Sequence, residues 1–465
     1  DALTDNEKLA LAAAEREDVT FYDGTDTEME ADDTDRAAAL VSINLTETFN
    51  VEVSGLFTVN AGADGAYLDS DQSGDLLIDQ LTSDGQVRLK ARGNVLDGDA
   101  ANSAANVTSN GLIVEASQGS ISSESAPLLV DMIGADPALI ARADQDIYIE
   151  EISGDLAVSE IFANGTVGLT ADNNITDPDD DDATPTPDRD WIWNIYATSA
   201  SLTAGGYIGT ADRIFEIDLQ GGTIDAQAGS HIFMDEVTTN MLVGEIRSTG
   251  GDVRLRTESS ILDAAGDIEA DVVGNNLTLI ADDGAIGASG GNALDINSVF
   301  SAAGNLTTES EFNTYIIETL GDLSINTVST PAGTAFISAL TGSILNGRAD
   351  DGANVLAGKT WLFARDNIGA DGKALSTQVG NIEGKTTSGT SWIENSGALT
   401  VGGVTDTDPG YDGGGDVNIS ASSPITVIED VTADLSIFLW AIESVGAGDD
   451  ITIIDGVTVT SDDGN

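Results

Sequence analysis

The chain has 465 residues, of which 41% are hydrophobic and only 5% aromatic, with 52 glycines, 8 prolines and no cysteine. Its 17 basic and 80 acidic residues leave a net charge of −63, which excludes the basic footprint that nucleic acid or an anionic membrane surface requires. Without cysteine no disulfide framework or thiolate metal site can hold the fold, and no apolar run is long enough to span a bilayer.

Residues 1–40 form an acidic extension, DALTDNEKLALAAAERED followed by VTFYDGTDTEMEADDTD, predicted to be short, irregular or helical, and to serve as a cap or inter-subunit segment. The opening at Asp1 reads as that of a mature or internal segment from which an export signal has been removed. With the charge, which calls for salt or divalent cations around it, this predicts an extracellular or cell-surface location. VSINLTETFNVEVSGLFTVNAGA (41–63) reads as a first coil, opening a continuous β-solenoid over 41–465.

From Gly74 onward the chain repeats itself. GQVRLKARGNVLDG, GTVGLTADNNITD, GDVRLRTESSILD, GTAFISALTGSILNG and GDVNISASSPITV begin at Gly85, Gly165, Gly251, Gly333 and Gly415, spaced by 80, 86, 82 and 82 residues. Each is an alternating strand ending in a small residue, then a polar turn, then an inward Val95, Ile175, Ile261, Ile344 or Ile425. A second phrase (GDLLIDQL from Gly74, GDLAVSEI, NMLVGEI, GDLSINTV, GALTVGGV) precedes it. A third carries IYIEEI, IFMDEV, YIIETL and WIEN, and a fourth places Ile121, Ile208, Ile286 and Ile368 inward. Short strands at sub-domain intervals, separated by Gly, Asn and Asp turns, predict stacked coils of roughly 20 to 27 residues. A string of immunoglobulin-like sandwiches competes, but its corner signatures do not recur.

Oxygen-rich turns are the chemical candidates, with calcium the expected cation. DSDQSGD (69–75) sets Asp69, Asp71, Ser73 and Asp75 at alternating positions like the first half of an EF-hand loop, although Gln80 stands where a bidentate Glu belongs. Two insertions leave the coils, TDPDDDDATPTPDRD (176–190) and TDTDPGYDGGGD (405–416). The latter offers Asp406, Asp408, Asp412 and Asp416. Asp- and Gly-rich turns between strands account for the same letters.

Catalytic constellations do not assemble. The single histidine, His231, begins a strand, and the adjacent acids Glu150 and Glu151, or Asp282 and Asp283, point to opposite strand faces. Arg88, Lys90 and Arg92, like Arg254 and Arg256, are expected to pair with carboxylates on neighbouring coils. Trp361, Trp392 and Trp440 are expected in the core. No enzyme is predicted.

GNALDINSVFSAAGNLTTESE (291–311), GDLSINTVST and ALTGSILNG resemble the degenerate repeats of filamentous-haemagglutinin-type exoproteins, over roughly residues 74–465. The resemblance implies an all-β, right-handed parallel β-helix. The expected role is a structural subunit or module of an extracellular filament or fibrous adhesin that associates head to tail with copies of itself, since ITIIDGVTVTSDDGN alternates as strand without a polar cap. A calcium-dependent surface-layer or matrix protein is the alternative, as is a polysaccharide-binding β-helix that takes surface glycans as partners.

Overall fold

The computed structural model describes residues 57–462 except 64, 71–73, 102, 135–136, 179–192, 423 and 443–449, together with the short strands Phe21–Tyr22, Glu28–Met29 and Phe49–Asn50. The helical reading of the 1–40 extension, most of the proposed first coil and most of the 176–190 insertion lie outside these residues. The chain divides into two compact units, Asp1–Gly222 and Thr223–Asn465. Each is a parallel β-solenoid, and no helix occurs among the described residues.

Alternation makes the strands. In Val87–Ala91 (VRLKA) the apolar side chains Val87, Leu89 and Ala91 are buried, while Arg88 faces outward. Burying a large aliphatic side chain contributes about 1.5–3 kcal/mol, so this pattern fixes which face turns inward. Val87 then pairs in parallel with Leu112, and Leu112 with Leu139, so the chain returns on itself after 25 and then 27 residues. Register-matched columns result: Leu89, Val114 and Ala141 stack, as do Ala91, Ala116 and Ala143. The small residue that ends the first phrase is thus the corner residue, where the coil bends, and Ala91 there has equally small neighbours in its column.

The second unit repeats the arrangement. Val253, Leu277 and Leu306 form one column, and Thr257, Ala281 and Ser310 the corner column. The second phrase supplies longer strands such as Leu76–Ser83 and Met241–Ser248, in which two successive residues face outward and the register slips. That irregularity carries one strand around a bend between two faces.

Val95, Ile175, Ile261, Ile344 and Ile425 are all fully buried, as expected. Single bridges stack them on the fourth-phrase residues: Val95 on Ile121, Ile175 on Ile208, Ile261 on Ile286, and Ile344 on Ile368. Parallel pairing between coils disposes of the sandwich reading. One expectation is corrected: Trp361 and Trp392 occupy outward, half-buried strand positions, and Trp440 is exposed. The inward column at these levels takes Leu362 and Ile393, and coils this narrow fill with aliphatics. Outside, Tyr315 and Phe336 stack at 4.6 Å on adjacent rungs.

Candidate functional site

A solenoid corner bends the backbone away from its ladder and leaves amides in need of acceptors. The Asp, Asn and Ser residues of the turns supply them, each from one coil to the next. Asp75 Oδ1 accepts from both the amide and the Nδ2 of Asn94, each at 2.8 Å. Asn94 Oδ1 accepts from the Ser120 amide, Ser120 Oγ from that of Asp146, and Asp146 Oδ1 from that of Thr166. The sequence steps are 19, 26, 26 and 20 residues, one coil each. In the second unit Asp322, Ser343 and Asn367 hold the amides of Ser343, Asn367 and Thr390 in the same way.

This ladder claims several of the proposed cation ligands. Asp69 lies half-buried in Ala66–Ser70, in register with Lys90, Asp75 is bonded to Asn94, and Asp71 and Ser73 lie outside the described residues. Asp416 accepts the Ser436 amide at 2.9 Å. Asp412 takes Lys385 Nζ at 2.7 Å and Thr432 Oγ1 at 2.9 Å, and these contacts hold its carboxyl below the usual range although burial opposes them. Asp408 sits exposed in the turn, its amide on Thr405 Oγ1, and Asp406 is close to Glu429. Among the described residues no three His, Asp or Glu side chains converge as a metal site.

The structure instead points to inward polar side chains at strand ends, of which the sequence reading named only Glu151, as half of an acid pair. Glu151, Glu236, Glu318 and Asn395 occupy the last inward position of their strands and are almost completely buried. Each turns back onto the corner: Glu151 accepts the amides of Met132 and Ser153, Glu236 those of Thr238 and Thr239, and Asn395 that of Val379. Alternation in the third phrase was the available signal, because it already placed an acid inward in IYIEE and IFMDE.

A second missed group lies beneath the 405–416 insertion. Buried Glu383 accepts the amides of Val404 and Thr405 and the Thr405 hydroxyl. Glu429 lies beside it, and burial first, then Glu383 and Asp406, raise Glu429 against a hydrogen bond from the Gly403 backbone. Gly402 and Gly403, at φ of 107° and 75°, give the backbone the left-handed turn that leads into the insertion.

The catalytic candidates are placed as follows. His231 is half-buried, stacked on Phe233 at 4.9 Å and in contact with Ser230 Oγ, and burial lowers its pKa. Glu150 faces out while Glu151 faces in. Three of the basic residues pair with carboxylates across coils, Lys90 with Glu115, Arg254 with Asp235, and Arg256 with Asp282 at 3.0 Å, whereas Arg92 donates to Gln118 Oε1. A cleft of about 390 Å³ in the first unit is walled by Pro137, Pro178 and Tyr207, with Asp155, Asp177 and Arg213 beside them. These charged groups are tied into the fold, Asp155 to Asn174, Asp177 to Asn194 and Arg213 to the Pro178 carbonyl. The polar chemistry described so far is the chemistry of holding coils together. The chain matches no protein-family model, no curated protein and no solved structure.

Proposed function

We propose that this protein is a non-catalytic structural module of an extracellular or cell-surface filament or fibrous adhesin, and that copies associate head to tail by adding coil to coil. One comparison carries the reading. Ile425 and Val427 are completely buried, whereas their register partners one coil further on, Ile451 and Ile453, are 42% and 47% exposed. The same coil leaves Phe438 and Trp440 exposed. The parallel ladder and apolar column that join Ile425 and Val427 to Ile451 and Ile453 are the contact that a coil of another copy would repeat on this coil.

Light scattering and electron micrographs over a concentration series test this. The expected result is concentration-dependent linear association, lost in Ile451→Asp/Ile453→Asp while the melting temperature stays close to wild type. A chain that stays monomeric at high concentration, with and without calcium, removes the proposal. Turnover of any polysaccharide in a reducing-sugar assay removes the non-catalytic part of it.

A further inference from the structure

Four residues occupy one equivalent position. Asn106, Asn194, Asp271 and Asn354 each immediately precede a strand, and each receives the amide of a strand residue in the coil before: Leu81, Ile161, Ile246 and Val328 bond to their carbonyls at 2.6–2.7 Å. Each side chain accepts an amide of the following coil, from Leu129, Glu216, Asp295 and Ser376 respectively. In the three asparagines the remaining Nδ2 donates twice. It reaches the backbone carbonyl of Ile78, Val158 or Ile325 in the preceding coil, and the side-chain oxygen of Asp97, Asp177 or Asn346.

Asp271 has an oxygen where those copies have an amide. The groups at the receiving end are unchanged in kind: the carbonyl of Val243, which like those of Ile78 and Ile325 takes the amide following a short strand, and the carboxylate of Asp263. Acceptor thus faces acceptor in a place that is 3% exposed. Asp263 Oδ2 is buried there without a hydrogen bond. Asp295, itself 4% exposed, adds a third carboxyl from the following coil. Asp267 contributes another charge from the intervening loop, where Glu269 is exposed. On the preceding strand Met241–Ser248, Glu245 and Arg247 are bonded to each other, and Arg247 lies over the Phe300 ring.

We propose that this corner is a proton-binding site, in which a proton held by Asp271 replaces the amide hydrogens of Asn106, Asn194 and Asn354, and whose deprotonation loosens the segment 262–273. Burial in the first place, reinforced by Asp263, Asp295 and Asp267, pushes Asp271 up to about 8, and burial with Asp263 and Asp267 pushes Asp295 up to about 7. Both lie above the usual value of 3.8. The closed corner therefore holds its proton more tightly than the open one. Its advantage is complete below the unfolded value and is lost as pH rises through the folded one.

Hydrogen exchange of the intact chain, corrected for intrinsic rates, reads this directly. If opening releases one proton, the opening constant of 262–273 rises by up to about tenfold per pH unit between pH 5 and 8. Asp271→Asn is expected to reduce that slope to what Asp295 alone contributes, and Asn106→Asp, which faces Asp97, to install one in its own corner. Equal slopes in wild type and Asp271→Asn overturn the proposal, as does an Asn106→Asp chain that folds and shows no slope.

Discussion

Ser298 donates its amide to both oxygens of Glu318, at 3.2 and 3.1 Å, and its hydroxyl to Oε2 at 2.6 Å. Both residues are completely buried. Glu318→Ala leaves that amide without an acceptor and is expected to cost about 1–3 kcal/mol, whereas Glu318→Gln keeps an acceptor and costs less. Urea unfolding of the two variants checks this, and equal losses would show that the carboxyl does not serve the corner.

Burial raises both Glu151 and Glu318 to about 7, despite the hydrogen bonds that oppose it. Their usual value is 4.5, so the folded chain binds these protons more tightly than the unfolded chain. Stability is highest at acid pH and falls as pH rises through 7. Melting temperature should decline from pH 5 to pH 8. The decline should persist in high salt, which screens the repulsion of the −63 surface. A flat or rising profile contradicts the assignment of these groups.

Corner size is testable by overpacking. Ala91 is buried between coils, its column continued by Ser70 and Ala116. Ala91→Leu is expected to cost about 1–3 kcal/mol, although it adds apolar surface. Leu89→Ala on the same strand is expected to cost about 2–5 kcal/mol by opening a cavity. A stabilised Ala91→Leu chain would mean that the corner is not close-packed.

Calcium binding at the Asp-rich turns is tested by melting in millimolar calcium against sodium chloride of matched ionic strength. Specific binding raises the melting temperature only in calcium and is reversed by chelator. Coincident curves reduce the turns to hydrogen-bond acceptors.

The strands and their inward faces were legible because alternation and repetition are local: Val95, Ile121, Ile261 and Ile286 each followed from the letters around them. The duties of the polar residues were not. Asp75 serves Asn94 across 19 residues, and Asn106 serves Ile78 across 28, so their roles depend on coil length, which varies. Asp412, on the strand Tyr411–Gly413, bonds to Lys385 and Thr432, while Asp416 in the following turn takes the Ser436 amide, and nothing in their spacing separates them. The outward tryptophans were misread because an aromatic residue in a strand looks like core until its face is counted from a buried neighbour.

In the turns of Asp75 and Asn94, Asp416 and Ser436, and Asp430 and Thr458 the side chain belongs to the earlier coil and the amide to the later one, whereas the amides of Gly321 and Gly397 donate forward to Thr341 and Ser422. Asn94, bonded to Asp75 in the coil before it and to Ser120 in the coil after it, makes the bonding of one turn depend on the coils on both sides, so a change in one coil is felt by two neighbours.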